Sequence, residues 1–231
     1  MIRSLTGTSL IEYPGRICSI IFISGCNLHC PFCHNPELVR PDMLDSEMGL
    51  SHDEVLEELR ARDGFVEAVT ITGGEPLLYE GLAELVRLIK EETTLSVKLD
   101  TNGTLPDRLN DVLHYLDFVA MDIKSSPEGY MKATGERATF AEIRDSIGIV
   151  RSLPAYEFRT TMVPGIVDRE GVLEILGETG KVRRYVLQTF HSDKTLSADF
   201  SRVPSYPREY LQETLEAVRG LDLAEEAAIR P

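Results

Sequence analysis

The chain has 231 residues, 42% hydrophobic and 27% charged, an ordinary globular composition that excludes a low-complexity, collagen-like or wholly disordered polymer. Its 24 Lys and Arg stand against 38 Asp and Glu, a net charge of −14, which argues against nucleic acid and anionic membranes as partners because phosphates call for clustered cations. The longest apolar stretch, Ile17 to Ile23, is seven residues against about 20 for a bilayer span, and Met1 to Thr8 lacks the apolar core of a secretion signal, so a cytoplasmic location is expected.

Six short, β-branched-rich runs predict strands: Ile17–Ser24, Ala68–Thr72, Ser96–Thr101, Phe118–Ile123, Glu157–Val163 and Tyr185–Phe190. Most are continuous rather than alternating, the pattern of a parallel sheet covered on both faces. Helical spacings fall between them. Ser51 and Glu54 form a capping box ahead of Val55, Leu56 and Leu59. Leu82, Leu85, Val86 and Ile89 follow the i, i+3, i+4, i+7 rule, and Leu109, Val112, Leu113 and Leu116 repeat it. Thr139 and Glu142 make a second capping box before Ile143, Ile147 and Val150. Val172, Leu173 and Leu176 mark another helix. Pro207 stands at a first helical position, and Gly220 marks the stop after Leu211, Leu215 and Val218.

Alternating βα units predict an α/β protein with a parallel sheet and right-handed crossovers. Six units are two short of a closed eight-stranded barrel. The expected architecture is a single domain, residues 1–231: an open, partial (βα)6 TIM-like barrel with a short N-terminal element and a C-terminal helix. Ligands gather at the C-terminal ends of the strands in such folds. The polar motifs of this sequence fall there: Gly25 to Asn35, Gly73-Gly74-Glu75-Pro76, Asp100-Thr101-Asn102-Gly103, Asp122-Ile123-Lys124, Val163-Pro164-Gly165 and Thr189-Phe190-His191. The stretch from Gly25 to Leu50 has no periodicity and is long for a βα loop, which marks it as functional.

The four cysteines are Cys18, Cys26, Cys30 and Cys33, and none follows. Cys18 falls inside the first strand. The other three form C-x3-C-x2-C in a polar loop. Buried structural thiols, a Cys3His zinc site with His34, and an iron–sulfur cluster are the three readings. Clustering in a polar loop has no packing rationale, and adjacent Cys33 and His34 make unusual ligands for one zinc ion. Thiolates suit iron–sulfur clusters, and three of them leave one iron of a cubane open.

The motif Cys26, Cys30, Cys33, with aromatic Phe32 before its last cysteine, resembles that of the radical S-adenosylmethionine superfamily. Gly73-Gly74-Glu75-Pro76 after the second strand strengthens the likeness. Leu10 to Gly15, Cys33 to Leu38, Leu99 to Gly103, Ala120 to Lys124, and Arg159 with Val163-Pro164-Gly165 are similar to the glycyl-radical-enzyme activating enzymes, of the anaerobic ribonucleotide reductase and pyruvate formate-lyase types. The resemblance reaches about His191. It implies a [4Fe-4S] cluster on Cys26, Cys30 and Cys33. It also implies S-adenosylmethionine, which the reduced cluster cleaves to a 5′-deoxyadenosyl radical. The protein substrate would be a glycyl radical enzyme, with flavodoxin or ferredoxin as electron donor. The alternative is a radical enzyme acting on a small molecule.

The resemblance also implies roles. Gly73, Gly74 and Glu75 would hold the methionine ammonium. Asp100, Thr101, the Ala120 carbonyl and Asp122 would bind K+ or Na+ beside the cofactor carboxylate. A general acid/base pair, or rim acids paired with Lys124 or Arg159, are the other readings of the two aspartates. Asn102, Lys124, Arg159 and His191 would line the cofactor, and Phe32 would pack on the adenine side or in the core.

Overall fold

The computed structural model describes residues 1–39 and 49–230; residues 40–48, part of the Gly25 to Leu50 stretch read above as functional, and residue 231 lie outside the described residues. The strands are β1 (Ile2–Tyr13), β2 (Arg16–Ile23), β3 (Ala68–Gly73), β4 (Ser96–Thr101), β5 (Phe118–Asp122), β6 (Tyr156–Met162), β7 (Val182–Thr189) and β8 (Ala224–Arg230). The described helices are α1 (Pro36–Val39), α2 (His52–Arg62), α3 (Leu82–Glu92), α4 (Pro106–Val112), α5 (Tyr130–Ala133), α6 (Phe140–Arg151), α7 (Arg169–Thr179) and α8 (Arg208–Gly220). The strands hydrogen-bond in chain order, giving an eight-stranded sheet. All six expected strands are present as β2 to β7, each followed by helix, and the α/β class holds.

Two strands go beyond the expectation. The N-terminal element is a full strand, β1, antiparallel to β2. Tyr13 pairs with Arg16 across Pro14-Gly15, and Gly15 takes φ +74°, the turn that Pro-Gly favours at its two central positions. The other addition, β8, follows α8 and runs parallel to β7, Val182 pairing with Ala224 and Gln188 with Arg230. Its sequence, Ala-Glu-Glu-Ala-Ala-Ile-Arg, is rich in helix formers. Pairing along β7 overrides that local preference.

The chain divides into two compact units: Met1–Asn27, Glu37–Thr101 and Leu105–Val119 form the first; Leu28–Pro36, Asn102–Thr104 and Ala120–Pro231 form the second. In the first, β2, β3 and β4 are parallel, with Ile20, Thr70 and Lys98 in one row. Val69, Ile71, Val97 and Leu99 are fully buried, as are Leu85, Val86 and Ile89 of α3, so both strands and helix bury the faces their spacing predicts. In the second unit β6, β7 and β8 are parallel. Ile143 and Val150 of α6 and Val172 and Leu176 of α7 are fully buried.

Both capping boxes form: Ser51 with Glu54, and Thr139 with Glu142. Their reciprocal bonds satisfy amides that the first turn of a helix leaves without partners. Pro207 is the N-cap of α8 rather than its first residue, and Gly220 ends the helix from inside it.

Candidate active site

In the first unit, the end of β2 and the end of β3 are bound to each other through backbone. Gly74 N–H donates to the Ile23 carbonyl at 2.9 Å and Glu75 N–H to the Gly25 carbonyl at 2.8 Å. A Cβ on Gly73 would meet the Ile23 carbonyl oxygen at 2.1 Å, and one on Gly74 the Gly25 carbonyl oxygen at 2.0 Å. Gly73 also takes φ +131°, which side chains other than glycine's rarely adopt. The two glycines are therefore required by the chain that carries Cys26: the Cys26 Cβ lies 3.3 Å from where a Gly74 Cβ would stand.

Glu75 is fully buried. Its Oε1 accepts from Leu77 N–H at 3.1 Å and from the Thr101 hydroxyl at 2.8 Å. The first bond caps the short 3-10 turn Pro76–Leu78. Asp100 is nearly buried and ion-paired with Lys98, which is wholly buried. The two are alternate residues of β4, so their side chains share a face. Cys18, also buried, accepts a long bond from the Thr70 hydroxyl at 3.7 Å. Burial pushes its thiol above the usual range, with Thr70 opposing, the state of an inert core cysteine.

In the second unit, the loop 28–36 carries Cys30, Phe32 and Cys33. His29 N–H donates to the Thr134 carbonyl at 3.1 Å, Cys33 N–H to the Cys30 carbonyl at 3.0 Å, and Ser197 N–H to the Pro31 carbonyl at 2.9 Å. Phe32 is buried and lies 6.4 Å from the Phe200 ring, centroid to centroid, a core contact with the C-terminal segment. The His34 ring lies 6.0 Å from both Phe190 and His191. Burial and then His191 lower its basicity, and its Nε2 is buried with no hydrogen-bond partner among the described residues. His191 itself is exposed.

Asn102 Oδ1 accepts from Thr104 N–H at 3.0 Å and the Thr104 hydroxyl at 2.7 Å, an Asx turn. Ala120 is buried in β5. Asp122 accepts from Lys124 Nζ at 3.1 Å and from Arg159 Nε at 2.7 Å. Burial would raise the Asp122 carboxyl, but Arg159 and Lys124 outweigh it and hold it well below the usual range. Burial would likewise discharge Lys124; Asp122, Cys30 and Cys33 outweigh it and keep the ammonium charged.

The pairing continues beyond the residues that motif reading singles out. Glu157 is fully buried on β6. Arg230 Nη2 of β8 lies 3.1 Å from it, Arg184 Nε of β7 3.1 Å, and Arg159 Nη1 4.0 Å. Arg184 also pairs with Glu226 of β8 at 2.7 Å. Lys124, Asp122, Arg159, Glu157, Arg184 and Arg230 thus form a ladder of opposite charges across β5 to β8, with Arg184 and Arg230 both facing Glu157. Lys98, Glu157, Arg184 and Arg230 are the residues that sequence reading missed. The available signal was a charge two residues from another charge inside an apolar strand: Lys98 with Asp100, and Glu157 with Arg159.

All four cysteines are free thiols, Cys26 and Cys33 half-buried and Cys30 buried. Three soft donors within eight residues, two of them with a charged ammonium in their field, fit a cluster whose core carries negative charge.

Similarity to known proteins agrees with this donor set. A protein of Methanocaldococcus jannaschii carrying the provisional name glycyl-radical enzyme activating enzyme is 29% identical over 221 residues, 92% of this chain and 89% of its own. The pyruvate formate-lyase-activating enzyme of Streptococcus mutans is 28% identical over 210 residues, 83% of this chain and 78% of its own. The 7-carboxy-7-deazaguanine synthase of Clostridium acetobutylicum is 33% identical over 143 residues, 60% of this chain and 61% of its own. Residues 20–176 match the Radical SAM superfamily, an interval that runs through every site motif from Cys26 to Arg159, and by that match the chain belongs to the Radical SAM superfamily.

Proposed function

We propose that the protein is a glycyl-radical-enzyme activating enzyme. The observation that carries this reading is the likeness to two proteins so named over most of both chains. The donor set supports the cofactor: Cys26, Cys30 and Cys33 would ligate three irons of a [4Fe-4S] cluster. When bound, that cluster supplies the electron that cleaves S-adenosylmethionine, giving a 5′-deoxyadenosyl radical able to take hydrogen from a glycine.

The chain's own residues would set the stage for that step. Gly73 and Gly74 bring the β3 end against the strand that leads into Cys26. Thr101 and Leu77 orient the Glu75 carboxylate, which would accept from the cofactor's ammonium in a charge-assisted bond. Lys124 places positive charge beside Cys30 and Cys33, and Asp122 and Arg159 fix its position. The substrate would be a glycine loop of a partner protein of the anaerobic ribonucleotide reductase or pyruvate formate-lyase type, with flavodoxin or ferredoxin as electron donor.

A second reading, a radical enzyme acting on a small metabolite, is favoured by the likeness to the C. acetobutylicum synthase. One experiment separates the two. Reconstituted protein is mixed anaerobically with reductant, S-adenosylmethionine and a candidate glycyl radical enzyme. A persistent glycyl radical on the partner, with one deoxyadenosine per radical, is the expected result. Fast turnover of a metabolite with no partner present would replace the activase reading with the second.

A further inference from the structure

The resemblance implies an exchangeable monovalent cation at Asp100, Thr101, the Ala120 carbonyl and Asp122. The residues do not fit one. A buried carboxylate needs a compensating positive charge, and Asp100 already has it: the ammonium of Lys98, wholly buried and paired with Oδ1. Lys98 cannot turn away from this role. Its own side chain is wholly buried and shares a face with Asp100. A second cation at Asp100 would leave surplus buried positive charge beside the ammonium, which low-dielectric surroundings penalise. In the second unit Asp122 has two cations of its own, Lys124 and Arg159.

We infer that Lys98 is a built-in replacement for the monovalent cation, a positioning residue that neutralises and orients Asp100. The protein then needs neither K+ nor Na+. The part of this inference that concerns cofactor cleavage rests on the function proposed above; the part that concerns ion binding does not.

The test begins with the wild-type chain, reconstituted, in potassium, sodium and tetramethylammonium buffers. Cofactor binding and cleavage should agree within about twofold across the three, and equilibrium dialysis should find no stoichiometric Rb+ on the protein. A Lys98→Met variant removes the ammonium while keeping an unbranched side chain. It should acquire Rb+ binding, and potassium should raise its melting temperature by several degrees while leaving that of the wild type unchanged. One Rb+ per wild-type chain, or a tenfold or greater loss of wild-type cleavage in tetramethylammonium, would overturn the inference. So would a folded Lys98→Met protein that ignores potassium in both measurements. If that variant does not fold, the wild-type dialysis decides alone. Absence of cofactor cleavage in every buffer would sink the proposed function and leave the dialysis result standing.

Discussion

The two units neutralise their acids differently. In the first, Asp100 is balanced by Lys98, two residues away on the same strand. In the second, Asp122 and Glu157 are balanced by four cations, Lys124, Arg159, Arg184 and Arg230, carried on or just beyond β5, β6, β7 and β8. The local arrangement is a pair made within one strand. The distributed one is redundant, since each acid meets more than one cation. A buried pair is strongly weakened when either member is lost, because the survivor keeps a charge that its partner had balanced. A ladder can lose one rung and keep its balance. Charged residues inside apolar strands are thus either tightly local or collectively shared, and the two designs should respond differently to the same kind of substitution.

The largest effect concerns the cysteines on which the proposed chemistry depends. Changing Cys26, Cys30 or Cys33 singly to Ala should abolish the visible absorption and iron content of reconstituted protein, and cofactor cleavage with them. Cys18→Ala should retain both, since its thiol lies within β2 against Thr70. Full iron content after Cys30→Ala would refute the ligand assignment.

Next comes stability. Lys98→Met should cost about 3–5 kcal/mol in denaturant unfolding, the penalty for orphaning one member of a buried pair. Arg230→Met should cost nearer 1 kcal/mol, because Arg184 still faces Glu157 at 3.1 Å. Equal losses for the two variants would mean that the ladder is not redundant. Glu157→Gln is the sharper cut on that side. It leaves Arg159, Arg184 and Arg230 without their shared carboxylate, and its cost should approach that of Lys98→Met.

The smallest effect is a pH dependence. The folded Asp122 carboxyl lies below its ordinary value of 3.8: burial opposes this, and Arg159 with Lys124 overcomes it. A group depressed in the folded state contributes stability above its unfolded pKa and loses it as pH falls through the folded one. Asp122→Asn should therefore lose stability at neutral pH and show a flatter decline below about pH 4 than the wild type. Acid unfolding curves of equal steepness for the two would show that Asp122 titrates normally.

Much of this molecule is written in short-range pattern. Six strands, two capping boxes and the rim motifs were legible because each depends on residues within one turn or one pleat of each other. Lys98 was equally close to Asp100, yet it escaped notice because a lone lysine in an apolar strand looks like a solvated end rather than a buried charge. Gly73 and Gly74 also have a structural requirement that no local pattern shows. Their nearest neighbours are the Ile23 and Gly25 carbonyls, from a strand some fifty residues earlier in the chain.

The sequence by itself determined the alternation of strand and helix, the thiol cluster and the acids at the strand ends, because hydrophobic period, cap chemistry and ligand spacing are properties of neighbouring residues. Only the tertiary structure decided the long-range partners of the buried acids. Arg230 and Glu157 are 73 residues apart, and no local rule pairs them. They meet because β8, built from helix-favouring Ala and Glu, gains more by completing the edge of β7 than by following its own propensity, and that choice carries Arg230 to a carboxylate that burial will not leave unpaired.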